Sequence, residues 1–448
     1  MFKKVILGFG GLLAVLLVVA AAAGFPPAFI LKAPGVATGI GAKLLCSSRF
    51  VSGFSETQSL DDLVQYSPLL DLLEVEIDSS SKTVAASFLG LSHKTASFIP
   101  GLGCSVDYQN YATREGISTS ALSTSDAPWP GGDGEISLRS DVQKLLEEQL
   151  AADNESGFNT RALLVVANGA IVGEAYAQET NAQTPLLGWS MAKSLTSVML
   201  GNLELRGLLD LNSEPGFAQW ANDQRSEIQI TDLLTMSDGL DFSEEYNPGD
   251  DATTMLFTSP SASDFTIGRP LLHAPGTRFN YSSGTANILS RIYLDSLGGP
   301  QQSYDDYQEN IAGALGFQNA VFEVDATGVF FGSSYLYASA RDWARLGQLM
   351  VNGGRINGKR LVSEDWIARA TAPNGSENQK AYGYQWWLNK GDADLRWPDL
   401  PEDAYAAQGN RQQNLMIIPS AGLVIVRLGW TAGRYPINKQ FREIVDLI

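Results

Sequence analysis

The chain has 448 residues, 44% hydrophobic and 18% charged, with 31 Lys+Arg against 49 Asp+Glu and a formal net charge of -18. That is a globular composition with room for two or three domains, and its acidity excludes a partner bound through a phosphate backbone, so no nucleic acid is expected. Two histidines, His93 and His273, and two cysteines, Cys46 and Cys104, are too few for a usual zinc site, so neither metal nor cofactor is expected.

Residues 1–30 read as a membrane anchor or a signal peptide. Lys3 and Lys4 precede an uncharged apolar run from Val5 to about Ile30, and about 20 residues suffice to span a bilayer. Positive residues before a span favour a cytoplasmic N-terminus, which sends the rest of the chain across the membrane. Ala20-Ala21-Ala22-Ala23 also suits a signal-peptidase site, so cleavage is the second reading; the length of the run favours the anchor.

Residues 33–126 read as a small, β-rich accessory region. Leu73-Glu74-Val75-Glu76-Ile77 alternates as a half-buried strand does, and Thr83–Phe88 follows a serine-rich turn as its hairpin partner. In an exported chain Cys46 and Cys104 are most simply a disulfide, two buried free thiols being the alternative. The bridge would close a loop of about 57 residues, worth on the order of 4 kcal/mol in the chain-entropy model. Residues 127–134, Ala-Pro-Trp-Pro-Gly-Gly-Asp-Gly, read as a turn-rich linker.

Residues 135–448 form the main domain. Ser140 to Asp153 has helical spacing, with Val142, Leu145, Leu146 and Leu150 on one side. Asn168-Gly169 between the apolar runs Arg161–Ala167 and Ala170–Tyr176 is a strong hairpin signal. Next comes Gly188-Trp189-Ser190-Met191-Ala192-Lys193-Ser194, which places a serine three residues ahead of a lysine at the start of an apolar run. On a helix those two share a face. Burial would lower the lysine pKa, so that it could take a proton from the hydroxyl, and a helix N-terminus would stabilise an oxyanion. Ser190 is thus a candidate acyl-transfer nucleophile; the plainer reading is a helix N-cap. Ser79-Ser80-Ser81-Lys82 has the same spacing but reads as a turn.

Further on, Pro275–Ser283 ends in Tyr281-x-Ser283 before a helix-like segment from Thr285. A lysine cation nearby would lower the tyrosine pKa and make Tyr281 a general base, with Ser283 bonding the lysine or the substrate; a packed aromatic is the alternative. The chain closes with strands Gln413–Ile418 and Leu423–Leu428 around Pro419-Ser420-Ala421-Gly422. Strands at both ends and helices between them predict an α/β (α+β) fold: an antiparallel sheet flanked by helices, with a helical subdomain carrying the site. A Ser-His-Asp hydrolase is disfavoured, because no histidine follows His273.

Six segments occur in a telling order: Ser190–Lys193, Ile230–Leu240, Pro275–Ser283, Ala340–Gly347, Tyr382–Trp387 and Gly409–Gln413. Together they resemble the serine β-lactamase and penicillin-binding-protein fold, in the class C-like branch that includes family VIII esterases and 6-aminohexanoate-dimer hydrolase. The resemblance covers about Glu135 to Ile448. It implies Ser190 as the acylated nucleophile, Lys193 as its partner and Tyr281 as base. The oxyanion hole would join the backbone N–H groups of Ser190 and Asn410. The family's third motif, a cation then Thr or Ser then Gly, is here Ala407-Gln408-Gly409, so only the glycine is kept. Arg411 is the substitute cation to consider, with Ser283, Gly409, Trp189 and Tyr384 as further substrate-binding candidates.

The resulting expectation is an enzyme of the bacterial cell envelope, anchored in the inner membrane facing the periplasm or free in the periplasm. It would cleave a small ester or linear amide, with contact to the membrane through its N-terminal segment. The alternatives are a D-alanyl-D-alanine peptidase or β-lactamase, or a non-catalytic binding module of the same fold.

Overall fold

The computed structural model describes residues 27–134 and 136–448. Most of the span expected over 1–30 lies outside the described residues.

The main sheet is six-stranded and antiparallel throughout. Its first two strands are β5 (Thr160–Ala167) and β6 (Ala170–Tyr176). Asn168 and Gly169 between them both adopt positive φ, 50° and 82°, the conformation that lets a two-residue turn follow the strand twist. The others are β7 (Trp387–Leu388), β8 (Tyr405–Gly409), β9 (Gln413–Ile418) and β10 (Leu423–Gly429). The spatial order is β7-β8-β9-β10-β5-β6, so the end of the chain pairs with the start of the domain, as the sequence predicts. β5, β9 and β10 are buried along their whole length, because helices cover both faces. On one face lie α3 (Ser140–Glu155) and α7 (Ile437–Val445), sharing a core with Leu163, Val165, Met416 and Ile425. On the other lie α4 (Ala192–Leu205), α5 (Ser283–Leu297) and α6 (Ala340–Val351), whose core includes Leu164, Val166, Leu415 and Val426.

The accessory region holds the expected small sheet and adds helices to it. Its four-stranded antiparallel meander, β1 (Leu73–Asp78), β2 (Thr83–Phe88), β3 (Ser92–Ile99) and β4 (Gly103–Val106), carries two helices, α1 (Pro27–Phe50) and α2 (Glu56–Val64). Within α1, Phe29–Phe50 is long and apolar enough to cross a membrane, yet it packs as a core helix. Its Gly41 faces Leu73, where an added Cβ would come within 2.6 Å of the side chain. Cys46 and Cys104 are disulfide-bonded, tying α1 to β4.

The accessory region and the main domain share one hydrophobic core, in which Val36, Leu45 and Val84 join Trp189, Phe257, Tyr335 and Trp430. A fully buried ion pair, Lys43 with Glu323, crosses the junction. Glu323 also accepts from Ser47 Oγ (2.8 Å) and from the Cys104 backbone N–H (2.7 Å), so its charge is satisfied by several donors. Residues 127–134 are held in place: the buried Arg345 guanidinium donates to the carbonyls of Pro130 and Gly132 and to Asp133.

Candidate active site

Ser190 sits in a 3-10 turn, Trp189–Met191, and α4 begins at Ala192. The helix therefore starts one residue later than the Ser190 cap reading places it, with Met191 in the N-cap position. The turn is set by close packing. A Cβ on Gly188 would lie 2.2 Å from the Trp343 ring, and one on Gly409 would lie 2.1 Å from the Gly188 carbonyl oxygen. Glycine at 409 thus lets the end of β8 approach the Ser190 turn.

Lys193 is 1% exposed. Its three donors meet three acceptors: Ser190 Oγ at 3.0 Å, Ser283 Oγ at 3.0 Å and the Ser333 carbonyl at 3.1 Å. Burial lowers its pKa to about 8, with the Glu244 carboxylate opposing that shift. The amine is therefore partly neutral near pH 8, which is the state that accepts a proton.

Tyr281 precedes α5, whose N-cap is Ser282, accepting from the Thr285 N–H. The Lys193 ammonium lies 4.8 Å from the centroid of its ring, and Trp387 stacks against it at 5.2 Å. Burial raises the phenol pKa, the Glu244 charge raises it further, and a hydrogen bond with Ser190 acts in the opposite sense. The phenol is held protonated, opposite to the lowering that a neighbouring lysine alone would cause.

Glu244 escaped the sequence reading. It accepts from the Ser283 backbone N–H (2.6 Å), from Ser283 Oγ (2.5 Å) and from Tyr246 Oη (2.8 Å). A carboxylate is favoured there, because the first N–H groups of α5 have no partner inside the helix. The result is a continuous chain, Ser190–Lys193–Ser283–Glu244. Its available signal was the acidic loop Ser243–Asp251, which no local spacing ties to residue 283.

A surface cleft is lined by Ser190, Glu244, Tyr281, Trp387, Gly409 and Asn410, among others. Ser283 lies behind it, buried, holding Lys193. Trp189 and Tyr384 lie elsewhere: Trp189 packs among Tyr66, Tyr335 and Trp430, and Tyr384 against Trp366 and Arg369. Arg411 is buried as well, its guanidinium 4.0 Å over the Tyr66 ring. It is engaged in packing and does not line the cleft. His93 and His273 are exposed and are not among the cleft residues.

The Tyr382–Trp387 motif also acquires a role. Gln385 donates to the carbonyls of Leu233 and Leu234, and its own carbonyl accepts from Ser194 Oγ, clamping α4.

Three comparisons bear on this arrangement. The family model described as "Beta-lactamase" matches residues 142–436. The 6-aminohexanoate-dimer hydrolase of Paenarthrobacter ureafaciens is 25% identical over 300 residues, which is 60% of this chain and 72% of that protein. Among solved structures, a class C β-lactamase superposes with a TM-score of 0.52 at 14% identity, covering 69% of this chain and 96% of its own. The penicillin-binding protein from Bacillus halodurans superposes with a TM-score of 0.52 at 15% identity, covering 67% and 100%.

Proposed function

The chain belongs to the beta-lactamase family, and on that premise we propose that it is an exported serine hydrolase cleaving small esters or linear amides through an acyl-enzyme on Ser190. The observation that carries this reading is the 3.0 Å contact between Ser190 Oγ and the buried Lys193 amine. Neutral Lys193 takes the Ser190 proton as Oγ attacks the carbonyl carbon. The oxyanion is met by the N–H groups of Ser190 and Asn410. When the tetrahedral intermediate collapses, the bond to the leaving group breaks, and Tyr281, held as a neutral phenol, gives that group its proton. The Lys193 ammonium then reprotonates Tyr281. Water repeats the sequence on the acyl-enzyme and releases the acid.

Because Lys193 must be neutral, kcat/KM is expected to rise as pH increases through about 8. Glu244 favours the ammonium, so Glu244→Gln should move this limb to lower pH. A pH–rate profile of both proteins checks the sign; a limb that moves upward contradicts it.

The cleft supports uncharged acyl groups over carboxylate-bearing ones. Its charged lining residue is Glu244, Ala407 stands where the family has a cation, and Arg411 is engaged with Tyr66. A carboxylate without its cation forgoes a charge-assisted hydrogen bond of about 1.5–3 kcal/mol, roughly ten- to a hundredfold. We expect kcat/KM to fall in the order p-nitrophenyl butyrate, linear 6-aminohexanoate dimer, nitrocefin. Nitrocefin as the best substrate would overturn this order and direct attention to Arg396, whose guanidinium lies 4.1 Å from the Trp387 ring.

Export is supported by the Cys46–Cys104 disulfide, since such bonds persist in oxidising compartments. Residence in the bacterial envelope, with the N-terminal segment as anchor or cleaved signal, belongs to the same proposal.

A further inference from the structure

The backbone on either side of the cleft is held in an unfavourable conformation. Trp189, immediately before Ser190, has φ 48°; Arg411 and Gln412, immediately after Asn410, have φ 58° and 65°. Left-handed backbone is costly for side chains of this size and persists only where the surroundings impose it. Gly188 and Gly409 explain how the two segments approach each other, but they do not explain what fixes the residues that follow.

Two side chains touch both segments: Trp430, just past β10, lies 6.3 Å from the Trp189 ring and 5.6 Å from the Arg411 guanidinium, and a tyrosine from the accessory region packs closer to both. Tyr66 lies in the turn after α2. Its ring meets Trp189 edge-on at 6.0 Å between centroids and Trp430 edge-on at 5.6 Å. Its other contact is the Arg411 guanidinium, 4.0 Å from the ring centroid. Tyr66 is itself anchored. The neighbouring Asp62 forms two 2.6 Å hydrogen bonds with Arg161 of β5, and Trp430 Nε1 donates to the Asp62 carbonyl at 2.9 Å. The family model begins at residue 142, so Tyr66 belongs to a part of this chain outside the matched region.

We infer that Tyr66 is a positioning residue for the oxyanion hole: its ring wedges between Trp189 and Arg411 and sets the Ser190 and Asn410 N–H groups at their working separation. The inference rests on the Ser190 acyl-enzyme reading. It gives the accessory region a part in the reaction, acting through the backbone with no contact to substrate. The ring supplies the effect through edge contacts and a cation–π contact, so the hydroxyl is dispensable.

The test uses the full chain carrying Tyr66→Phe, Tyr66→Leu or Tyr66→Ala. Two readings are taken: kcat/KM for p-nitrophenyl butyrate, and affinity for phenylboronic acid, whose tetrahedral serine adduct places an oxygen in the oxyanion hole. Tyr66→Phe should stay within about twofold of wild type. Tyr66→Leu and Tyr66→Ala should lose roughly 10- to 100-fold in kcat, with KM little changed, as expected when a catalytic donor is displaced by about an ångström. Boronate affinity should fall in parallel. Tyr66→Leu keeps an apolar side chain in the wedge and serves if Tyr66→Ala does not fold. An active wild type with unchanged Leu and Ala variants overturns the inference. So does an equal loss in Tyr66→Phe, or a loss of turnover with boronate affinity intact. A wild type that neither turns over ester nor binds boronate overturns the Ser190 reading, and this inference with it.

Discussion

Ser190→Ala should leave no ester turnover above background, a loss on the order of 10⁵- to 10⁶-fold in kcat by the measure of other serine nucleophiles, while thermal unfolding stays close to that of wild type. The side chain is partly exposed in the cleft and the substitution removes one hydroxyl, so little packing is lost. Lys193→Ala and Tyr281→Phe remove the proton acceptor and the proton donor, and each should cost about 10²- to 10⁴-fold. The double variant should be little worse than either single one, because the two groups hand one proton between them. Stopped assays on p-nitrophenyl butyrate, with melting curves on the same preparations, check all four proteins. Multiplicative losses in the double variant would mean that Lys193 and Tyr281 act independently.

Gly409→Ala should also be strongly damaging, on the scale of Lys193→Ala or Tyr281→Phe, although it touches no reacting atom. The added methyl would lie 2.1 Å from the Gly188 carbonyl oxygen and 3.1 Å from Gln413 Cβ. The 2.1 Å contact is with backbone, so the clash is relieved only by moving β8 away from the Ser190 turn. That widens the oxyanion hole. Losing one such donor costs about 10²- to 10³-fold, so kcat should fall by that order with KM much less affected. Gly116→Ala is the control, since its added Cβ would meet nothing within 4 Å. A Gly409→Ala protein with wild-type kcat would mean that the β8 end plays no part in catalysis.

What the sequence made legible was local. The hairpin at Asn168-Gly169, the closing strands 413–418 and 423–428, and the turn between β1 and β2 each follow from residues a few positions apart. The resemblance drawn from six ordered segments pointed to the family that the comparisons support. What escaped depends on long-range contact. α1 is apolar enough over Phe29–Phe50 to cross a membrane by length and composition, so its sequence reads on from the preceding apolar run, and its packing against the main domain becomes visible only once Lys43 meets Glu323. Trp189, Tyr384 and Arg411 stand next to motif residues, yet neighbours in a turn point in different directions. Their side chains turn away from the cleft, and the packing of Tyr66 explains where two of them go. Glu244 is joined to Ser283 across 39 positions, and no periodicity reports such a pairing. The protonated state of Tyr281 was also out of reach, because it depends on burial and on that same carboxylate.

The central claim is that Ser190 is the residue acylated in turnover. The most direct test is to treat the purified full chain with a fluorophosphonate probe, digest it and locate the modified residue by peptide mass spectrometry. The account predicts a single adduct on Ser190, blocked by prior incubation with phenylboronic acid and absent in Ser190→Ala. A wild-type protein that hydrolyses ester while carrying the adduct on any other residue would contradict it.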